Sequence, residues 1–161
     1  MHEMLMLVCV LTATKGNTVA GTIVLEQKDG YCQLTGEVTG LTPGEHGFHV
    51  HMFGDLRAPD GASAGGHYNP DAHQHGGPDA ADHHQGDLGN ITADANGVAK
   101  VDVKLKGVDL HALLGRSLVV HRDPDDLKTQ PAGNSGPRIA VGVIGYAEVK
   151  PSAAAAPTTP K

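Results

Sequence analysis

An unbroken apolar run from Met4 to Leu11, closed by Lys15-Gly16-Asn17, is the first pattern along the chain. A short continuous run bounded by a turn predicts a strand buried on both sides or lying at a contact surface. From Thr18 to Leu25, Val19, Gly21, Ile23 and Leu25 alternate with Thr18, Ala20, Thr22 and Val24, and Lys28-Asp29-Gly30 turns the chain back. This predicts a hairpin. Its partner, Tyr31 to Val38, sets Cys32, Leu34, Gly36 and Val38 on one face and Tyr31, Gln33, Thr35 and Glu37 on the other, as in a half-exposed strand. After the connection Leu41 to Gly44, a fourth strand is predicted over Gly47 to Phe53.

From Gly54 to Asp87 neither period is sustained, and so long an irregular loop in a compact domain needs a reason. Asp94 to Gly97 is a turn, and Val101, Val103 and Leu105 then alternate with Asp102, Lys104 and Lys106. A short helix-like stretch (Val108 to Leu114), a strand (Ser117 to His121), a second polar loop (Arg122 to Pro137) and a final apolar strand (Ile139 to Val149) follow. About eight short strands with two long functional loops predict an all-β, antiparallel Greek-key sandwich or barrel. We expect one domain over 1–150 and a disordered Ala/Pro/Thr tail over 151–161.

Composition narrows the function. With 12 Lys plus Arg against 18 Asp plus Glu, a formal charge of -6 provides no cationic field for nucleic acid or an anionic membrane surface. Trp is absent and aromatics make up 3% of the chain, which argues against a base-stacking platform. Met1 to Ala13 lacks a basic n-region and is too short to span a bilayer, so it reads as a first strand. Cys9 and Cys32 do not make a disulfide framework. If the first three strands are neighbours in order, the two thiols stand roughly 9 to 10 Å apart, beyond the bridging limit of roughly 7 Å.

The outlier is histidine, with 11 residues, most of them between His46 and His84. His49 and His51 share one face of the fourth strand while Phe48 and Val50 face the other way. His67, His75, His84 and Asp87 fall in or after the long loop, and His121 closes a later strand. One histidine alone is more often structural than a ligand, but this set suffices for two metal ions. The glycines from Gly76 to Gly89 lack the flanking strand and helix of a phosphate loop.

The segments Gly47-Phe-His-Val-His-Met-Phe-Gly-Asp55, His75-Gly-Gly-Pro78, Gly86-Asp-Leu-Gly-Asn90, Gly115-Arg-Ser-Leu-Val-Val-His121 and Arg138 to Ala147 together resemble copper/zinc superoxide dismutase. That family is itself among the proteins that define the sandwich architecture. The resemblance runs from about Met6 to Ala147 and implies a fold, a reaction and a site. It implies copper on His49, His51, His67 and His121, and zinc on His67, His75, His84 and Asp87, with His67 shared. Asp125 would link a copper histidine to a zinc histidine. Arg138 would hold superoxide by charge and hydrogen bonds, and His67 would carry a proton. The implied reaction converts superoxide to oxygen and hydrogen peroxide.

Two departures stand out. The family's loop disulfide falls on Gly61 and Val141 here and cannot form, and removing such a bridge costs roughly 2 to 5 kcal/mol. Either other contacts compensate or the loop from Asp55 to Gly66 moves. The resemblance implies a homodimer through Gly54, Leu114, Gly115, Val143 and Tyr146, but the loop lining that contact is untethered. Second, the loop between His121 and Arg138 is short and holds Lys128 as its lone lysine, so charge steering of superoxide should be weaker than in the family. Missing cystines suit the cytoplasm, with export to the periplasm as the alternative. The rival to an enzyme is a metal-handling module that binds copper or zinc without turnover.

Overall fold

The structure is a computed structural model that describes residues 5–148. The tail expected over 151–161 lies outside the described residues. Eight strands form in order: β1 (Met6–Ala13), β2 (Ala20–Lys28), β3 (Tyr31–Thr39), β4 (Gly44–His51), β5 (Asp87–Ala93), β6 (Ala99–Lys106), β7 (Ser117–His121) and β8 (Arg138–Tyr146). They close an antiparallel barrel in the order β1-β2-β3-β6-β5-β4-β7-β8. The β1/β8 ladder shuts one seam, and β5 meets β6 at Ala93 and Ala99 on the other.

Alternation was a good guide wherever one strand face meets the core. Cys32, Leu34 and Val38 of β3 are buried, and Leu7, Cys9, Ile23, Leu25, Phe48, Leu118 and Ile144 complete the interior. The unbroken apolar run of β1 buries its odd-numbered positions, while Val10 is 58% exposed. Cys9 on β1 and Cys32 on β3 are separated by β2, and both are buried free thiols.

Four stretches differ from expectation. A strand, β5, begins at Asp87, where no alternation announces it, because Asp87, Leu88, Gly89 and Ile91 are all buried. The fourth strand runs Gly44–His51 and stops before Met52, and the last ends at Tyr146. The helix-like stretch contracts to a 3₁₀ turn at Leu110–Leu113, where the Asp109 carboxylate accepts from His111 N at 3.0 Å.

The first long loop returns across the outer face of β7 and β8, where Ala64 packs on Val119 and Val141. Gly61 sits directly over Val141: a Cβ there would lie 3.1 Å from Val141 Cγ1. The two positions expected to face each other therefore do so, without a bridge. Arg138 Nη1 donates to Gly61 O at 2.7 Å, Lys15 N donates to Pro59 O at 2.9 Å, and Phe53 N donates to Ala64 O at 2.9 Å. These contacts take the place of a covalent tie.

Candidate metal centre

His49 and His51 leave β4 on its outward face and His121 ends β7 beside it, through the β4/β7 ladder that pairs Phe48 with Val120. His67 is brought alongside by an isolated bridge between His51 and His67. Each strand histidine uses one ring nitrogen locally. His49 Nε2 lies 2.8 Å from Asp125 Oδ2, His51 Nδ1 is 2.8 Å from Gly65 O, and His121 Nδ1 is 3.0 Å from Gly136 O. Such partners fix tautomer and ring orientation.

The other ring nitrogens, His49 Nδ1, His51 Nε2 and His121 Nε2, are buried without partners, and so is His67 Nε2. A buried, unpaired polar atom is costly, by roughly 1 to 3 kcal/mol. Four of them converging within 4.8 Å of one another fit a single metal ion. Burial lowers the pKa of His49 to about 4, with Asp125 pulling the other way, and lowers that of His121 to about 3. His51 is pushed well below its usual range by the same cause. At neutral pH these three rings are therefore neutral bases that offer lone pairs.

The second cluster belongs to the loop. Around Asp87 Oδ1 lie His67 Nδ1 at 2.9 Å, His75 Nδ1 at 2.9 Å and His84 Nδ1 at 3.4 Å, with His67 Nδ1 and His84 Nδ1 3.1 Å apart. Ligands on a tetrahedral ion with bonds of about 2.0 to 2.1 Å stand about 3.3 Å apart, so this set matches a zinc-sized centre. Asp87 Oδ2 is held in place by His84 N at 2.7 Å and Gly76 N at 3.2 Å. His67 contributes Nε2 to one cluster and Nδ1 to the other. One imidazole thus joins the two sites.

Asp125 joins them a second time. Its Oδ2 faces His49 Nε2 and its Oδ1 faces His75 Nε2, both at 2.8 Å. Burial opposes ionisation of Asp87 and Asp125, but hydrogen bonds from His67 and His75 to the first, and from His49 and His75 to the second, hold both pKa values far below the usual carboxylate range. For His75 burial opposes charge, yet its hydrogen bonds to Asp125 and Asp87 prevail and raise its pKa to about 9. Arg138, paired with His121 across the β7/β8 ladder, is half-buried, its pKa lowered by burial, with the Asp60 charge acting in the opposite sense. A guanidinium remains charged in any case.

Two supporting residues escaped sequence reasoning. Gln130 clamps the His75 backbone, accepting from His75 N at 2.8 Å and donating to His75 O at 2.7 Å. Asn90, which reads as a turn residue, does the same for Asp125: Asn90 Oδ1 accepts from Asp125 N at 2.7 Å and Asn90 Nδ2 donates to Asp125 O at 3.0 Å. Gln130 lies in a polar loop that carries no signal, and Asn90, though it closes the Gly86 to Asn90 motif, shows nothing in sequence of its reach to Asp125. The remaining histidines go elsewhere. His46 is buried with its ring nitrogens on His121 O and Thr42 O, His73 pairs with Asp82, and His83 Nδ1 reaches His84 O.

The geometry has its counterpart among known proteins. Residues 19–144 match the family model described as copper/zinc superoxide dismutase (SODC). The chain is also 47% identical over 147 residues to the extracellular superoxide dismutase [Cu-Zn] of Onchocerca volvulus, with 81% of this chain and 72% of that protein covered.

Proposed function

Because the chain belongs to the copper/zinc superoxide dismutase family, an oxidoreductase family using both metals, we propose that its two clusters divide the labour between a reacting and a structural ion. His49, His51, His67 and His121 would hold copper, and His67, His75, His84 and Asp87 would hold zinc. The observation that carries this division is the set of four unpartnered buried nitrogens in the first cluster. The loop cluster instead satisfies its own donors and acceptors, as a redox-silent structural site does.

When bound, copper supplies a one-electron couple that oxidises one superoxide to oxygen and reduces a second, with two protons, to hydrogen peroxide. The chain's own residues do the rest. Arg138 keeps one N–H on Gly61 O and presents its remaining donors to the anion. His67 Nε2 is the position at which a proton is held and released, while its Nδ1 stays in the Asp87 cluster. Asp125 engages His49 Nε2 and so leaves Nδ1 as the free nitrogen that would hold copper.

A second copy of the chain is the assembly we propose for the face carrying Gly54, Gly115, Val143 and Tyr146. Val143 and Tyr146 are exposed there, and Gly54 sits so close to Gly115 that a Cβ would lie 2.3 Å from Gly115 O. The name of the Onchocerca volvulus relative supports export of this chain, over the cytoplasm that its missing cystines suggest. Among the described residues no helix is long and apolar enough to cross a membrane.

The deciding experiment measures superoxide removal on protein of quantified metal content, with and without copper. Copper-dependent removal is expected. Stoichiometric copper binding with no turnover would instead establish the metal-handling module.

A further inference from the structure

The turn between β1 and β2 is stitched to the Arg138 side of the site. Thr14 N donates to Ile139 O at 3.1 Å, Thr14 Oγ1 donates to Arg138 O at 2.8 Å, and Lys15 N donates to Pro59 O at 2.9 Å. Asn17 Nδ2 donates to Thr14 Oγ1 at 2.8 Å and closes the turn. The strand carrying Arg138 and the loop carrying Asp60 are thereby tied to one short segment. Thr14, Lys15, Asn17, Asp60 and Arg138 together line a cleft of ≈ 370 Å³.

Charge in this cleft runs against the rest of the molecule. The chain carries -6 overall, yet two cations and one carboxylate meet here. Neighbouring cations are already neutralised: Arg57 is paired with Asp55 at 2.7 Å and Arg122 with Asp123 at 2.9 Å. Among the described residues, no ion pair engages the Lys15 ammonium. Asp60 is occupied in part, because its Oδ1 accepts from Ala62 N at 3.0 Å.

Building on the dismutase reading, we propose that Lys15 is a steering residue for the superoxide anion, presented beside Arg138 by the β1–β2 turn, with Asp60 as the charge that opposes it. A lysine of this first turn thus stands in for cations that the short loop before Arg138 lacks. In water, a unit charge within about 10 Å of an anion's path changes its local concentration about twofold, and reversal of that charge about fourfold.

The test compares Lys15→Gln, Lys15→Glu and Asp60→Asn with Lys28→Gln in copper- and zinc-loaded protein. Lys28 is paired with Glu26 and ends β2, roughly 27 Å along that strand from the turn, so it makes the same change in net charge at a distance. At about 0.01 M salt, where screening extends about 30 Å, kcat/KM should fall about twofold in Lys15→Gln and about fourfold in Lys15→Glu. It should rise about twofold in Asp60→Asn, and all variants should converge at high salt.

A readout independent of turnover is phosphate titration of the zinc-only protein, followed by the Arg138 Nε–H resonance. Lys15→Gln should weaken phosphate binding about twofold or more, while Lys28→Gln leaves it unchanged. Equal effects of Lys15→Gln and Lys28→Gln in both measurements would overturn the assignment in favour of net charge alone. A wild-type protein without any turnover would overturn the dismutase reading, and the phosphate titration would then still decide whether Lys15 serves the Arg138 cleft.

Discussion

The two histidine clusters share His67 and Asp125 but are built on opposite principles. Three residues of the first, His49, His51 and His121, stand on neighbouring strands of a closed barrel, each ring locked by a bond from its other nitrogen. Ligands of the second come from a loop whose path depends on their mutual contacts around Asp87. The first site keeps unpartnered nitrogens because the scaffold bears their cost. The second has a single strand anchor, Asp87 at the start of β5, and its three histidines are held by the loop. A rigid frame that tolerates unsatisfied lone pairs suits an ion that changes charge, and a self-bonded loop suits one that does not.

The sharpest way to break this comparison is His121→Ala. It removes one strand nitrogen and touches none of the loop cluster, so copper-dependent turnover should be abolished while zinc content stays unchanged by elemental analysis. Retained activity would show that the strand cluster is not the reacting site. Asp87→Ala attacks the other half. His67, His75 and His84 lose their common acceptor, so zinc should be lost, and amide exchange over residues 67–86 should accelerate while β4 and β7 stay protected. Uniform acceleration across the barrel would mean that the loop site supports the whole fold.

Asp125→Asn tests the tie between the regions. An amide can donate to one ring and accept from the other, but the carboxylate charge that keeps His49 and His75 aligned is gone. Copper affinity should drop about 10- to 100-fold, the usual cost of losing such a partner. Zinc affinity should drop with it, because His75 faces the same carboxylate. A change confined to copper would show that the bridge works in one direction.

How much of this was legible in the chain follows the same division. Strand periodicity placed His49 and His51 on one face because polar and apolar residues alternate in sequence from Phe48 to His51, although both faces of that stretch are buried, and it exposed β3 as half-buried. β5 stayed hidden because it carries a ligand, Asp87, at its first residue and is buried around it. The ligand residues themselves could be named from their resemblance to a family, since a motif preserves identity. Their convergence, however, depends on loop closure. Gly133 illustrates the limit: it lies in a polar loop, yet a Cβ there would fall 1.9 Å from Asp125 Oδ1 and 2.6 Å from His75 Nε2, at a φ of 77°. No period or composition marks such a position, because what it must avoid is distant in sequence.

The finest discrimination comes from Gln130→Ala. Gln130 holds the His75 backbone by two hydrogen bonds, and a net bond of this kind contributes about 0.5 to 1.5 kcal/mol. Losing both should loosen the His75 segment without altering any ligand atom, lowering zinc affinity by about tenfold in competition with a chelator. His49, His51 and His121 are oriented by Asp125, Gly65 and Gly136, not by Gln130, so copper affinity and its spectrum should remain as in the parent. That separation is the point of the variant. If copper binding weakens in parallel with zinc, slack in the loop is transmitted through His67 or Asp125, and the strand cluster depends on the loop for its geometry. If zinc alone responds, the barrel holds the reacting site by itself, and the loop is tuned separately by residues that touch neither ion.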